Sequence, residues 1–102
     1  MEIVVDKVEG HCPVYKKGDI ITITGCQIDL EQTDKLCIHA LPSLLHYATP
    51  LREGVSPYDL GLAPTPESRS AYIQCPDPGP PHTKGGTVTF KLTLKTGKSG
   101  QA

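Results

Sequence analysis

Only one stretch of the chain, Lys35–Gly54 (KLCIHALPSLLHYATPLREG), has the spacing of an amphipathic helix. Nearly everything else reads as strand or as Pro/Gly-rich connection, so the fold has to be built around a single helix. At about 100° of turn per residue, Cys37, Leu41, Leu44, Leu45 and Ala48 fall in one apolar stripe, while His39, Ser43 and His46 cluster on the opposite side. Leu44 and Leu45 are therefore expected in the core. Each large aliphatic side chain contributes roughly 1.5–3 kcal/mol on burial before entropy is counted. Asp34, or Thr33 before it, is the candidate N-cap. Pro42 lacks an N–H and clashes with the turn behind it, so regular helix starts near Ala40 and leaves Cys37 and His39 in an irregular lead-in. Pro50 ends or kinks the helix, and Gly54 is a natural stop.

Four segments read as strands. Glu2–Glu9 is short and Val/Ile-rich, but Ile3, Val4, Val5 and Val8 do not alternate, which suggests cover on both faces. In Ile20–Gly25, Ile21 and Ile23 share one face and the threonines the other. Arg69–Cys75 places Ala71, Ile73 and Cys75 together. Thr87–Lys95 alternates without a break, with Val88, Phe90, Leu92 and Leu94 facing one way and Thr87, Thr89, Lys91 and Thr93 the other. Strands one and two form one antiparallel pair, with Gly18-Asp19 as a turn between them, and strands three and four form a second. The segment 55–68 carries three prolines and reads as a long ordered loop with a 3₁₀ turn at Tyr58–Leu60. The expected fold is α+β: a small, mostly antiparallel four-stranded sheet with one main helix on one face, a partly rolled sheet or small barrel being the alternative. The domain spans 1–95, and the polar tail 96–102 (TGKSGQA) reads as disordered.

At 102 residues the chain holds one domain, and with one Phe, no Trp, ten Pro and ten Gly its core is modest. Forming a homo-oligomer is one way to bury more surface. A net charge of −1, with no basic run interleaved with aromatics, lacks the footprint of a nucleic-acid binder. No apolar run reaches the ~20 residues of a membrane span, and the acid-bearing N-terminus does not read as a signal peptide. These features point to the cytosol, where the four cysteines are thiols or ligands and not disulfides.

Cys12, Cys37 and Cys75 each stand at an element boundary: after strand one, at the helix entry and at the end of strand three. Boundaries of this kind can converge in space. With His11 and His39 one and two residues from a cysteine, they form a candidate soft site for a zinc or iron centre or a small ligand. The bland alternative is that free cysteines act as small buried hydrophobes. In Cys75-Pro76-Asp77-Pro78-Gly79 the carboxylate either neighbours a working thiol or caps a turn, and the turn is preferred. His39, Ser43 and His46 lack a nucleophile elbow and an orienting acid, so they form a solvated face and not a hydrolase site. Gly85-Gly86 offers backbone N–H groups to an anion but has no phosphate-loop fingerprint, so a hairpin connection is its default reading.

The segments G-H-C-P-V-Y-K-K-G-D, L-C-I-H-A-L and Q-C-P-D-P-G followed by G-G-T-V-T-F, in this order, resemble a family of small uncharacterised proteins found largely in anaerobic bacteria and archaea. The resemblance runs from about Val4 to Leu94. By motif position it implies importance for Cys12, Gly18, Asp19, Cys37, Ala40, Cys75, Pro76 and Asp77, and it leaves Cys26 and His82 outside the motifs.

The functional expectation is a small cytosolic binding or accessory protein with a cysteine-lined metal or small-ligand site drawn from Cys12, Cys37, Cys75, His11, His39 and Asp77. The alternatives are an interaction protein forming a homo-oligomer and a small thiol-dependent enzyme.

Overall fold

A computed structural model of the protein describes residues 1–94; the expected tail 96–102 and the last residue of the expected fourth strand lie outside them. The chain is α+β. Five strands, β1 (Glu2–Glu9), β2 (Ile20–Thr24), β3 (Gln27–Ile28), β4 (Ser70–Gln74) and β5 (Thr87–Thr93), form one open antiparallel sheet in the order β3-β2-β1-β5-β4. The two expected antiparallel pairs are present, joined by the long β1–β5 pairing at the centre of the sheet. The fifth strand, β3, was hidden in the segment expected only to connect β2 to the helix. A two-residue Gly25-Cys26 loop turns the chain back, and Ile28 pairs with Ile23.

The broken alternation of β1 has a cause other than cover on both faces. Val5 pairs with Phe90 and Lys7 with Thr89, so Asp6 is the extra residue of a β-bulge. The bulge moves every later side chain to the other face, which puts Val8 opposite the buried Val88, on the same side as Ile3 and Val5. The sheet therefore has one apolar face, made of Ile3, Val5, Ile21, Ile23, Ala71, Ile73, Val88, Phe90 and Leu92. The expected register of β5 holds through Leu92, while Leu94, just past the strand, is exposed.

Helix α1 (Leu41–Arg52) lies against that face through Leu44, Ala48 and Leu51. Leu45, expected in the core, is 42 % exposed, and Leu41 is only half-buried. The stripe is centred differently from the sequence reading because Pro50 does not end the helix, so Leu51 belongs to it. With Leu44 at zero, Ala40 and Leu51 fall at about −40° and −20° and Ala48 at about 40°, while Leu45 lies off the edge at about 100°. Pro50 sits in the last turn, where its missing N–H removes one hydrogen bond only.

The ends of α1 are set by backbone. Its N-cap is Ala40, with no side-chain cap. Asp34, the expected cap, instead accepts the Ile20 N–H at 2.8 Å and closes the outer edge of β2. At the other end Gly54, at φ +99°, donates to Leu51 C=O and Val55 donates to Pro50 C=O, the paired bonds of a Schellman stop.

Loop segments supply partners to β2 beyond the short β3 and to the outer side of β4. Residues 29–34, including a 3₁₀ turn at Leu30–Gln32, run along β2, where the Thr33 hydroxyl takes the Thr22 N–H. The segment 56–62 is hydrogen-bonded turn with one 3₁₀-type bond, from the Gly61 N–H to Tyr58 C=O, at the expected 3₁₀ turn, and its Leu62 C=O takes the Tyr72 N–H of β4.

Candidate functional site

The site lies where β1 outruns β2. β2 pairs with β1 only as far as Val4–Ile20, while Lys7–Glu9 continue beside β5 alone. The connection from Gly10 to Asp19 therefore doubles back along the sheet and drops Tyr15 into the space that β2 leaves. Tyr15 is 4 % exposed and meets Phe90 edge to face, ring centroids 5.3 Å apart. The return is locked at Asp19, a buried carboxylate that accepts the Lys16 N–H at 3.0 Å and the Lys16 ammonium at 3.1 Å. These bonds, the backbone one foremost, hold its carboxyl below the usual carboxylate range although burial opposes them. Gly18-Asp19 is thus the turn that the sequence suggested.

Two further connections meet this loop. The lead-in to α1 is tied to Tyr15, whose hydroxyl donates to Lys35 C=O at 3.2 Å and accepts the Cys37 N–H at 3.0 Å. Burial pushes the Tyr15 phenol above its ordinary range. The Cys37 N–H acts in the opposite sense, and proximity to Cys37, Cys12 and Asp19 adds to the rise. The β4–β5 connection closes against the first loop at Gly86, which donates to Glu9 C=O at 3.1 Å. A Cβ on Gly86 would stand 2.5 Å from the His11 carbonyl oxygen, and the φ of +100° is one that glycine alone adopts readily.

Between these three segments is an open pocket of about 660 Å³, within the range that takes a small organic ligand. Its walls include Cys12, Val14, Tyr15, Leu36, Cys37, Ile38, Ala40, Cys75, Pro76, Pro78 and Val88, with His39, Asp77 and Thr83 among them. Cys12, Cys37 and Cys75, far apart in sequence, share this one cavity. His39 and Asp77 also line it, whereas His11 does not. Cys26 stands exposed on the β2–β3 loop, outside the pocket.

The three thiols differ in what they are free to do. The Cys75 sulfur is buried, accepts the Val88 N–H at 3.2 Å and reaches Gly86 C=O at 3.8 Å, so it is bound into the edge of the sheet. The Cys12 sulfur accepts the Tyr15 N–H at 3.3 Å and is half-buried. The Cys37 sulfur, also half-buried, makes no hydrogen bond among the described residues. Asp77 is a turn cap, as its sequence context suggested. One of its oxygens accepts both the Gly79 N–H at 2.8 Å and the Thr83 hydroxyl. These bonds, the hydroxyl first, hold its carboxyl below the usual range. Gly85 donates to the Thr83 hydroxyl at 3.1 Å, so with Gly86 engaged as well neither N–H is left for an anion.

Among the described residues, no three His, Cys, Asp or Glu side chains are gathered so as to hold a metal ion. No helix among them is long and apolar enough to cross a membrane. His39 and His46 are exposed and Ser43 half-buried, and His46 stacks edge-on against Tyr47. Tyr15 is the pocket residue that the sequence motifs do not single out. The available signal was an aromatic side chain in an otherwise Lys/Pro/Gly loop, where exposure would be wasteful. Comparison of the chain with protein-family models, with curated proteins and with solved structures gives no match.

Proposed function

We propose that the protein binds a small organic molecule in the pocket at the end of the sheet, as a binding or accessory protein of a reducing compartment such as the cytosol. The observation that carries this reading is the convergence of three separate connections on one cavity of about 660 Å³ with mainly apolar walls. Four free thiols fit a reducing compartment. Cys75, bonded into β5, is a wall residue, while Cys12 and Cys37 offer the ligand polarizable sulfur. The family resemblance marks the same three cysteines by motif position.

The test is titration with phenylnaphthylamine, a fluorescent probe that brightens in apolar surroundings. The wild-type protein should bind it saturably at an equimolar ratio. Cys37→Trp, which places a large ring in the cavity from a half-buried position, should abolish binding while the folded circular-dichroism spectrum persists. Absence of saturable binding by the wild type, or undiminished binding by a folded C37W, would remove the reading.

A further inference from the structure

Resting on that reading, we infer that Ile38 grips the ligand at the mouth of the pocket, and that the ligand is a largely apolar molecule that reaches this mouth. Singly exposed apolar side chains are ordinary, but Ile38 belongs to a collar. Leu36, two positions earlier, is also exposed and lines the cavity. So do the exposed Pro13 of the first loop and the exposed Pro76 and Pro78 of the β4–β5 connection. Each of the three segments that build the pocket thus adds wetted carbon to its rim. A ligand that fills the cavity out to the rim takes this surface from water, which favours binding in proportion to the area covered. Ile38 has the most side chain to offer of the two aliphatic residues, 80 % exposed against 38 % for Leu36.

The turn that presents Ile38 is pinned on either side. The Cys37 N–H is held by the Tyr15 hydroxyl, the Leu41 N–H bonds back to Cys37 C=O, and the Ala40 side chain is buried. The Ile38 side chain therefore stays at the rim instead of folding into the core. The N–H groups of Ile38, His39 and Ala40 have no hydrogen-bond partner among the described residues. An apolar ligand passing this turn can thus carry an oxygen or nitrogen acceptor there without leaving it unpaired.

The experiment titrates phenylnaphthylamine into the wild-type protein, Ile38→Ala and Leu30→Ala. Leu30 is the matched control: it is 72 % exposed but stands in the 3₁₀ turn beside β2, outside the pocket. Neither truncation removes buried surface, so both variants should keep the wild-type urea midpoint. I38A should bind the probe about fivefold more weakly than wild type, and L30A as tightly as wild type. Equal binding by I38A and wild type overturns the inference and leaves the pocket reading intact. Equal losses in the two variants overturn it as well, because the probe would then report exposed apolar surface in general. A lowered urea midpoint for I38A would make Ile38 a packing residue and overturn its role at the mouth. Failure of the wild type to bind removes the pocket reading, and this inference with it.

Discussion

The hydroxyl of Tyr15 accepts the backbone N–H of Cys37 at 3.0 Å and donates to the carbonyl of Lys35 at 3.2 Å. One buried phenol thus fixes the segment carrying Cys37 against the loop carrying Cys12, whose sulfur takes the Tyr15 N–H. Tyr15→Phe keeps the ring on Phe90 but leaves a partly buried N–H and C=O without their partner. It should cost about 1–3 kcal/mol in urea unfolding and speed alkylation of Cys37 by loosening its backbone. A variant as stable as wild type, with Cys37 labelled no faster, would show that the hydroxyl does not hold the segment.

Tyr15 also makes a prediction in alkaline solution. Its folded-state pKa is raised above the ordinary value of 10.0, mainly by burial. The folded protein therefore keeps the proton at a pH where the unfolded chain releases it. The stabilisation is fully present below about pH 10 and is lost as pH rises through the folded value. Wild type should lose stability across that range more steeply than Y15F. Parallel curves would assign alkaline unfolding to other groups.

Asp19 works in the opposite direction. Its pKa is lowered by the Lys16 N–H and ammonium, so its contribution is present above about pH 4 and falls away as pH drops through the folded value. Asp19→Asn should cost about 1–3 kcal/mol at neutral pH and flatten the acid limb of the stability profile. An unchanged acid limb would mean that the return of the first loop is held elsewhere.

Two pairs of substitutions test the packing of α1 and the backbone that closes the pocket. Leu44, with no exposed surface, should cost about 2–5 kcal/mol on truncation to Ala, whereas Leu45→Ala should cost less than about 1 kcal/mol. Gly54→Ala meets open space and strains only the φ of +99°, so it should cost about 1–2 kcal/mol. Gly86→Ala must also push away the His11–Cys12 backbone, whose His11 carbonyl oxygen would stand 2.5 Å from the new Cβ, and should cost more than Gly54→Ala. Equal penalties at Leu44 and Leu45, or at the two glycines, measured by denaturant unfolding, would contradict the geometry.

These contrasts show where the sequence was readable. The unbroken alternation of Val88–Leu92 and the length of the single helix specify the α+β architecture, because period and burial coincide there. The bulge at Asp6 was not readable: one inserted residue imitates a strand covered on both faces. The helix stripe is centred about an eighth of a turn from where the spacing places it, because Pro50, usually a breaker, loses little in a last turn and leaves Leu51 in the helix. At the site, the boundary positions of Cys12, Cys37 and Cys75 are compatible with all three lining one cavity, and no more than that was legible. Their unequal roles depend on hydrogen bonds across the sheet end, from Val88 to Cys75 and from Cys37 to Tyr15, which local sequence does not encode.

A ligand seated in the cavity shared by the three cysteines must shield the thiols that face it, and alkylation of each thiol with and without a bound probe measures that shielding. Iodoacetamide labelling, read site by site by mass spectrometry, should modify exposed Cys26 readily, Cys37 and Cys12 more slowly, and buried Cys75 hardly at all. Phenylnaphthylamine at about ten times its dissociation constant should slow Cys37 and Cys12 by about tenfold and leave Cys26 unchanged. Saturable binding that protects neither Cys37 nor Cys12, or that slows Cys26 to the same extent, would place the ligand outside this cavity.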